Sequence, residues 1–189
     1  MNKAIFFDRD GVINKLVFNP KTDEFESPHE PEDLELMPNI FEPIKMLFDR
    51  GYYLFVISNQ PSFAKGKTTL ENIKAIQRKL QRQIEDQGIV IKEYYYCYHH
   101  PLGIVPEYSC ECVCRKPKPF FINKAAIDYD LDLSASWIIG DQDSDVECGK
   151  NAGIKTILIL NEHSAKKRGR SEPDYTANNL YESVNLVIT

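Results

Sequence analysis

The chain of 189 residues contains no run of about 20 apolar residues, the length a helix needs to cross a bilayer. Its opening stretch, Met1 to Phe7, is too short an apolar run for a secretory signal and is broken at once by Asp8-Arg9-Asp10. A cytoplasmic protein without a membrane partner is therefore expected. Positive charge is in deficit: 23 Lys and Arg stand against 28 Asp and Glu, a net charge of -5. That balance argues against nucleic acid as a partner, which calls for a broad basic surface. Internal repeats and low-complexity segments are absent. So is the even cysteine count of a disulfide framework. There are five cysteines, three of them crowded into Cys110-Glu111-Cys112-Val113-Cys114, which suits a reducing compartment and metal coordination.

What is present is ordinary globular material, with 42% hydrophobic, 27% charged and 11% aromatic residues. This is enough to bury a core and excludes a disordered, collagenous or coiled-coil chain. At this length a single domain over residues 1–189 is expected. Continuous apolar runs predict buried strands at Lys3–Asp8, Tyr52–Ile57, Glu93–Tyr98, Trp137–Ile139 and Thr156–Leu160.

Between the strands lie helical patterns. One has Asn39 as its N-cap, Ile40, Ile44, Leu47 and Phe48 on one face and Gly51 as its stop. A second runs from about Thr69 to Gly88, with Thr68 and Glu71 at capping-box spacing. Others run from Pro119 to Tyr129 and from Val146 to Ala152, closed by Gly153. Residues 14–37 read as a long loop with room for a small hairpin. Such alternation predicts an α/β fold, a doubly wound parallel sheet with helices on both faces. Sheets of this kind bind ligands beyond the carboxyl ends of their strands.

The polar clusters fall at those strand ends. Asp8-Arg9-Asp10 follows the first strand, Ser58-Asn59 the second, and Asp141 to Asp145 the fourth, while Arg115-Lys116 precedes a helix. Remote carboxylates gathered at one edge make a hard oxygen site suited to Mg²⁺. A hydroxyl and backbone amides at Ser58-Asn59 can hold phosphoryl oxygens, and Lys116 can offset their charge, which together meet the needs of phosphoryl transfer. Alone, an Asp-x-Asp pair would be an ordinary acidic loop; the ordered set of acid, hydroxyl, lysine and acid is not.

Asp8-Arg9-Asp10-Gly11-Val12-Ile13-Asn14, Ser58-Asn59-Gln60, Arg115-Lys116-Pro117 and Gly140-Asp141 with Asp145 resemble the four motifs of haloacid-dehalogenase-type phosphatases. The resemblance spans residues 3–160. Cys97-Tyr98-His99-His100-Pro101, followed by Cys112-Val113-Cys114 directly before Arg115, is similar to the capless branch that contains the histidinol-phosphate and heptose-bisphosphate phosphatases. The resemblance implies a Rossmann-like sheet with no large cap domain, a substrate loop at about residues 15–37 and a zinc loop at 97–114.

The roles it implies are these. Asp8 is the nucleophile and Asp10 the general acid and base. Mg²⁺ is held by Asp8, the Asp10 carbonyl and Asp141, with Asp145 supporting that shell. Ser58, Asn59 and Lys116 bind the transferring phosphoryl group, and Arg115 a second phosphate, with Lys65 or Lys67 near it. Zn²⁺ is structural and held by Cys97, His99, Cys112 and Cys114, with Cys110 spare and His100 as the alternative to His99. Gln142 departs from the family pattern, in which some members carry Lys or Arg.

The expected activity is Mg²⁺-dependent hydrolysis of a sugar phosphate by a monomer, with a heptose bisphosphate as the substrate that the resemblance implies. Histidinol phosphate is the alternative, and a phospho-accepting receiver-like signalling module the alternative from another class. Cys148 reads as a small buried hydrophobe and Tyr94-Tyr95-Tyr96 as strand packing. His29 and His163 are expected on the surface, and Lys166-Lys167-Arg168-Gly169-Arg170 in a solvated loop, with a role in gathering anionic substrate as the alternative.

Overall fold

A computed structural model describes all residues, 1–189. Six parallel strands form one sheet in the order β5-β4-β1-β6-β7-β8. They are β1 (Ala4–Phe7), β4 (Tyr53–Asn59), β5 (Ile91–Cys97), β6 (Trp137–Gly140), β7 (Lys155–Ile159) and β8 (Tyr175–Ala177). A two-stranded antiparallel hairpin, β2 (Val17–Asn19) and β3 (Glu24–Glu26), stands apart within the loop after β1. Five helices complete the fold: α1 (Phe41–Asp49), α2 (Leu70–Glu85), α3 (Phe120–Tyr129), α4 (Asp143–Ala152) and α5 (Leu180–Ile188).

The central strand β1 shows why the sheet is covered on both sides. All four of its side chains are buried, and because strand side chains alternate, they feed two separate cores. Ile5 and Phe7 pack with Ile44 and Leu47 of α1, Ile76, Leu80 and Ile84 of α2, and Leu180, Val184 and Val187 of α5. Ala4 and Phe6 pack with Phe55, with Ile122 and Ala125 of α3, and with Cys148 of α4. Chain order runs outward from β1 through β4 to β5, then restarts at β6 and runs outward to β8. The reversal between β1 and β6 is a topological switch point, where the diverging connections leave a crevice at the carboxyl edge.

The doubly wound parallel sheet matches the expectation from sequence, but several local features differ. Asn39 is not the N-cap of α1: it has a left-handed backbone (φ 55°), and the helix begins at Phe41 after Ile40. A capping side chain needs extended geometry to reach the first N–H groups. For α2 the cap is Thr69, whose hydroxyl accepts from the Asn72 N–H at 3.0 Å. Thr68 instead donates to the His29 carbonyl at 2.6 Å and so ties the hairpin loop to α2. Strand β8 and helix α5 were not expected at all. The tyrosines behave as strand packing: Tyr95 stacks on Phe55 and Phe121, and Tyr94 and Tyr96 stack on each other on the opposite face.

Candidate active site

Asp8 is the first residue beyond β1, and its N–H continues the pairing with β6 by donating to the Ile139 carbonyl at 2.9 Å. The chain then turns sharply at Gly11 (φ +89°), where a Cβ would lie 2.2 Å from Asp141 Oδ2. Only glycine lets the two turns approach this closely. Asp141, the residue after β6, is fully buried, and neither of its carboxylate oxygens has a hydrogen-bond partner. Carboxylate oxygens of Asp8, Asp141 and Asp145 all lie within 4.8 Å of one another.

Lys116 faces this group from below. Its ammonium lies 2.8 Å from Asp8 Oδ1 and 2.5 Å from Asp145 Oδ1, and it donates to the Ile57 carbonyl at 2.8 Å. Burial works against its charge, but Asp145 and Asp8 outweigh burial and raise its pKa. The backbone of Lys116 is clamped by the Asn59 side chain, which accepts from the Lys116 N–H and donates to the Lys116 carbonyl, both at 3.1 Å. The Asn59 side chain is therefore occupied in positioning Lys116, and only its backbone N–H is left for a ligand. Asp145 accepts from the Asp141 and Gln142 N–H groups at 3.2 and 3.1 Å, so it braces the turn that carries Asp141.

Three buried carboxylates thus face one ammonium group. Burial, with help from Asp145 and Asp10 and against the pull of Lys116, lifts Asp8 to about 6. Burial and the charges of Asp8 and Asp145 push Asp141 well above the carboxylate range. An all-oxygen donor set with surplus negative charge and two unpartnered oxygens fits a hard divalent cation such as Mg²⁺.

Asp10 is held by residues whose part was not foreseen. Arg9, fully buried, donates to Asp10 Oδ1 through Nε and Nη2 at 3.1 and 2.9 Å. Gln60 Nε2 donates to Asp10 Oδ2 at 2.6 Å and to Ser58 Oγ at 2.9 Å, and Asn14 Nδ2 donates to Asp10 Oδ1 at 2.9 Å. Gln60 accepts from Arg9 Nη2 at 2.8 Å, which closes the network. The signal was available, since all three residues lie inside the quoted strand-end motifs.

A cavity of about 370 Å³ opens over Asp8, Asp10, Ser58 and Lys116 and extends to Arg115, Lys65 and Lys167. Apart from Asp8 and Asp10 it has no carboxylate in its lining. Lys67 is elsewhere: it is ion-paired with Glu26 of the hairpin. His29 is half-buried rather than fully on the surface and lies 3.2 Å from Glu26, while His163, exposed, stacks on Phe25 at 3.8 Å.

A second cluster forms at the far end of β5. Cys97, His99, Cys112 and Cys114 bring three sulfurs and one ring nitrogen within 4.8 Å of one another. Sγ–Sγ distances are 3.4 Å from Cys112 to both Cys97 and Cys114, and His99 Nδ1 lies 3.9 Å from Cys97 Sγ and 3.7 Å from Cys114 Sγ. Tetrahedral zinc with Zn–S bonds of about 2.3 Å requires edges of this order. Burial and then the neighbouring thiols push Cys97 up, whereas at Cys112 burial is outweighed by hydrogen bonds from Cys114 and Cys97, which hold it below the ordinary thiol value. Cys110 is exposed and outside the group, and His100 Nδ1 accepts instead from the Leu102 N–H. Cys148 is buried on the inner face of α4.

Comparison with known proteins agrees with this geometry. A family model described as HAD-hydrolase-like matches residues 113–183. A D-glycero-alpha-D-manno-heptose-1,7-bisphosphate 7-phosphatase from Photorhabdus laumondii is 34% identical over 98% of this chain and 96% of its own length. A D-glycero-D-manno-heptose-1,7-bisphosphate 7-phosphatase from Chlorobaculum tepidum is 33% identical over 96% of this chain and 92% of its own. Among solved structures, a D,D-heptose 1,7-bisphosphate phosphatase from B. bronchiseptica complexed with magnesium and phosphate has the same fold, with a TM-score of 0.80 at 24% identity over 98% of both chains. Near-full-length identity of this degree, together with the strand-end carboxylates and the Cys/His cluster, means that the chain belongs to the heptose-1,7-bisphosphate 7-phosphatase family of HAD-type phosphoric monoester hydrolases.

Proposed function

We propose that this chain removes the C7 phosphate of D-glycero-D-manno-heptose 1,7-bisphosphate through an aspartyl-phosphate on Asp8. One observation carries the reading: Asp8 lies beside Lys116 and the unpartnered Asp141, at the floor of a cavity whose charged lining, apart from Asp8 and Asp10, is cationic. Asp8, Asp141 and the Asp10 carbonyl would hold Mg²⁺, which when bound relieves the repulsion between an anionic nucleophile and an anionic phosphate. Cys97, His99, Cys112 and Cys114 would hold a structural Zn²⁺, with no open position for catalysis.

Asp8 attacks phosphorus, and the bond to the sugar oxygen breaks. Asp10 supplies a proton to that oxygen, so that a neutral alcohol departs. The resulting Asp10 carboxylate takes a proton from water as the water oxygen attacks the phosphoryl group, which releases inorganic phosphate and regenerates Asp8. Ser58 Oγ and the Asn59 N–H bind the equatorial oxygens while Lys116 neutralises their charge. The second phosphate is met by Arg115 and Lys65 on the cavity wall.

Histidinol phosphate fits less well, because its ammonium group would find no carboxylate beyond Asp8 and Asp10 in that lining. Comparing kcat/KM for the heptose bisphosphate and for histidinol phosphate tests the substrate. The bisphosphate should be favoured, and a higher value for histidinol phosphate would overturn the assignment.

A further inference from the structure

The 3-10 turn Glu162–Lys167 follows β7, across the β1–β6 crevice from the strands that lead to Lys65 and Arg115. It is fastened to both catalytic turns. Asn161 Nδ2 donates to the Gly11 carbonyl at 3.0 Å, and Ser164, fully buried, donates from Oγ to the carbonyl of Asp141 at 3.1 Å. Past the turn, Arg168 Nη1 donates to the Ile159 carbonyl at 3.0 Å, and Asp143 accepts from the N–H groups of Gly169, Arg170 and Ser171 at 3.0 to 3.2 Å. The segment is therefore solvated as expected, with Lys166, Lys167, Gly169 and Arg170 exposed, but its backbone is anchored on either side of Lys167.

Lys167 itself has no ion-pair or hydrogen-bond partner and lines the same cavity as Lys65 and Arg115. The three cations are close enough that Lys65 is pushed down by burial and then by Lys67, Arg115 and Lys167, against an opposing pull from Glu26. Lys67, already neutralised by Glu26, is not part of the lining. A site that leaves three cations without an ion-pair partner around one opening asks for an anion there.

We infer that Lys167 is a specificity-determining residue, which closes with Lys65 and Arg115 a subsite for the phosphate that the enzyme does not hydrolyse. This deepens the proposed function and rests on it. The hydrolysed phosphate occupies the floor at Asp8, and the distal phosphate is gripped from both flanks of the sheet. Lys167 would thereby sort bisphosphorylated from monophosphorylated sugars.

The test compares kcat/KM for the heptose 1,7-bisphosphate and the corresponding 7-monophosphate in the wild type, Lys167→Gln, Lys167→Arg and Lys166→Gln. Loss of a charge-assisted contact of about 1.5 kcal/mol corresponds to about tenfold. Lys167→Gln should shrink the preference for the bisphosphate by about that factor, chiefly through KM. Lys167→Arg should restore most of it, and Lys166→Gln, one residue away and outside this cavity, should keep the wild-type ratio. An unchanged ratio in Lys167→Gln, an equal fall for both substrates, or an equal effect of Lys166→Gln would overturn the inference while leaving the phosphatase reading intact. A wild type with no preference for the bisphosphate would do the same. Failure of the wild type to hydrolyse either sugar phosphate would instead overturn the proposed function, and the subsite with it.

Discussion

Arg9 shows how a single charged residue can be structural and chemical at once. A guanidinium with no exposure to water is costly unless its charge and donors are matched. Here Asp10 and Gln60 take the Nε and Nη2 donors, the Tyr96 ring lies 5.8 Å from its Cζ, and Nη1 alone has no hydrogen-bond partner. In the sequence Arg9 stands only as a member of the strand-end motif Asp8-Arg9-Asp10, and no local pattern shows that its side chain reaches Tyr96 of β5. Replacing Arg9 with Met keeps the volume but leaves the buried Asp10 carboxylate without its cation. Breaking a buried pair in this way costs about 3–5 kcal/mol. Urea unfolding should show the midpoint fall accordingly, and kcat should drop more than KM changes, because Asp10 loses its orientation. A variant with wild-type midpoint and kcat would show that Arg9 does neither job.

At the scale of elements, legibility followed the length of the apolar signal. Strands β1, β4 and β6 were readable because each is a continuous buried run, and α2 because Ile73, Ile76, Leu80 and Ile84 repeat along one buried face. Strand β8 was not. It has three residues, of which only Ala177 is buried, and it exists because β7 offers an edge to pair with. Helix α5 then covers the core beside α1, a role set by tertiary contact rather than by pattern. The Cys/His loop is a third case: with Leu102, Ile104 and Val113 exposed, it has few apolar side chains to bury, so it needs another source of order. The purified protein should contain about one zinc per chain, Cys112→Ser should lose it, and Cys110→Ser should retain it. Metal analysis of the three proteins decides this, and loss of zinc from Cys110→Ser with retention in Cys112→Ser would shift the ligand register.

For the whole molecule, the parallel sheet is what turns four scattered motifs into one site. Every strand ends at the same edge, so Asp8, Ser58 and Asp141 converge there. Lys116, beyond the Cys/His loop, is brought to them by the Asn59 clamp on its backbone. The convergence of the three strand ends could be read from sequence, since it depends only on strand direction. The cavity's rim could not, because Lys167 reaches it through side-chain bonds from Asn161 and Ser164 to backbone carbonyls that no periodicity encodes. No helix is long and apolar enough to cross a membrane. The residues flanking the β2–β3 hairpin, Leu16 and Ser27, border the cavity, and the hairpin itself is pinned by Lys67 to Glu26 and by the stacking of Phe25 on His163.

The central claim is that Asp8 becomes covalently phosphorylated during turnover. It is tested most directly by quenching the enzyme in acid during steady-state hydrolysis of the heptose bisphosphate and mapping its peptides by mass spectrometry. The account predicts a phosphoryl group on the peptide Met1 to Lys15, on Asp8, absent from Asp8→Asn. Steady turnover with that peptide unmodified, or a phosphoryl group elsewhere in the chain, would contradict it.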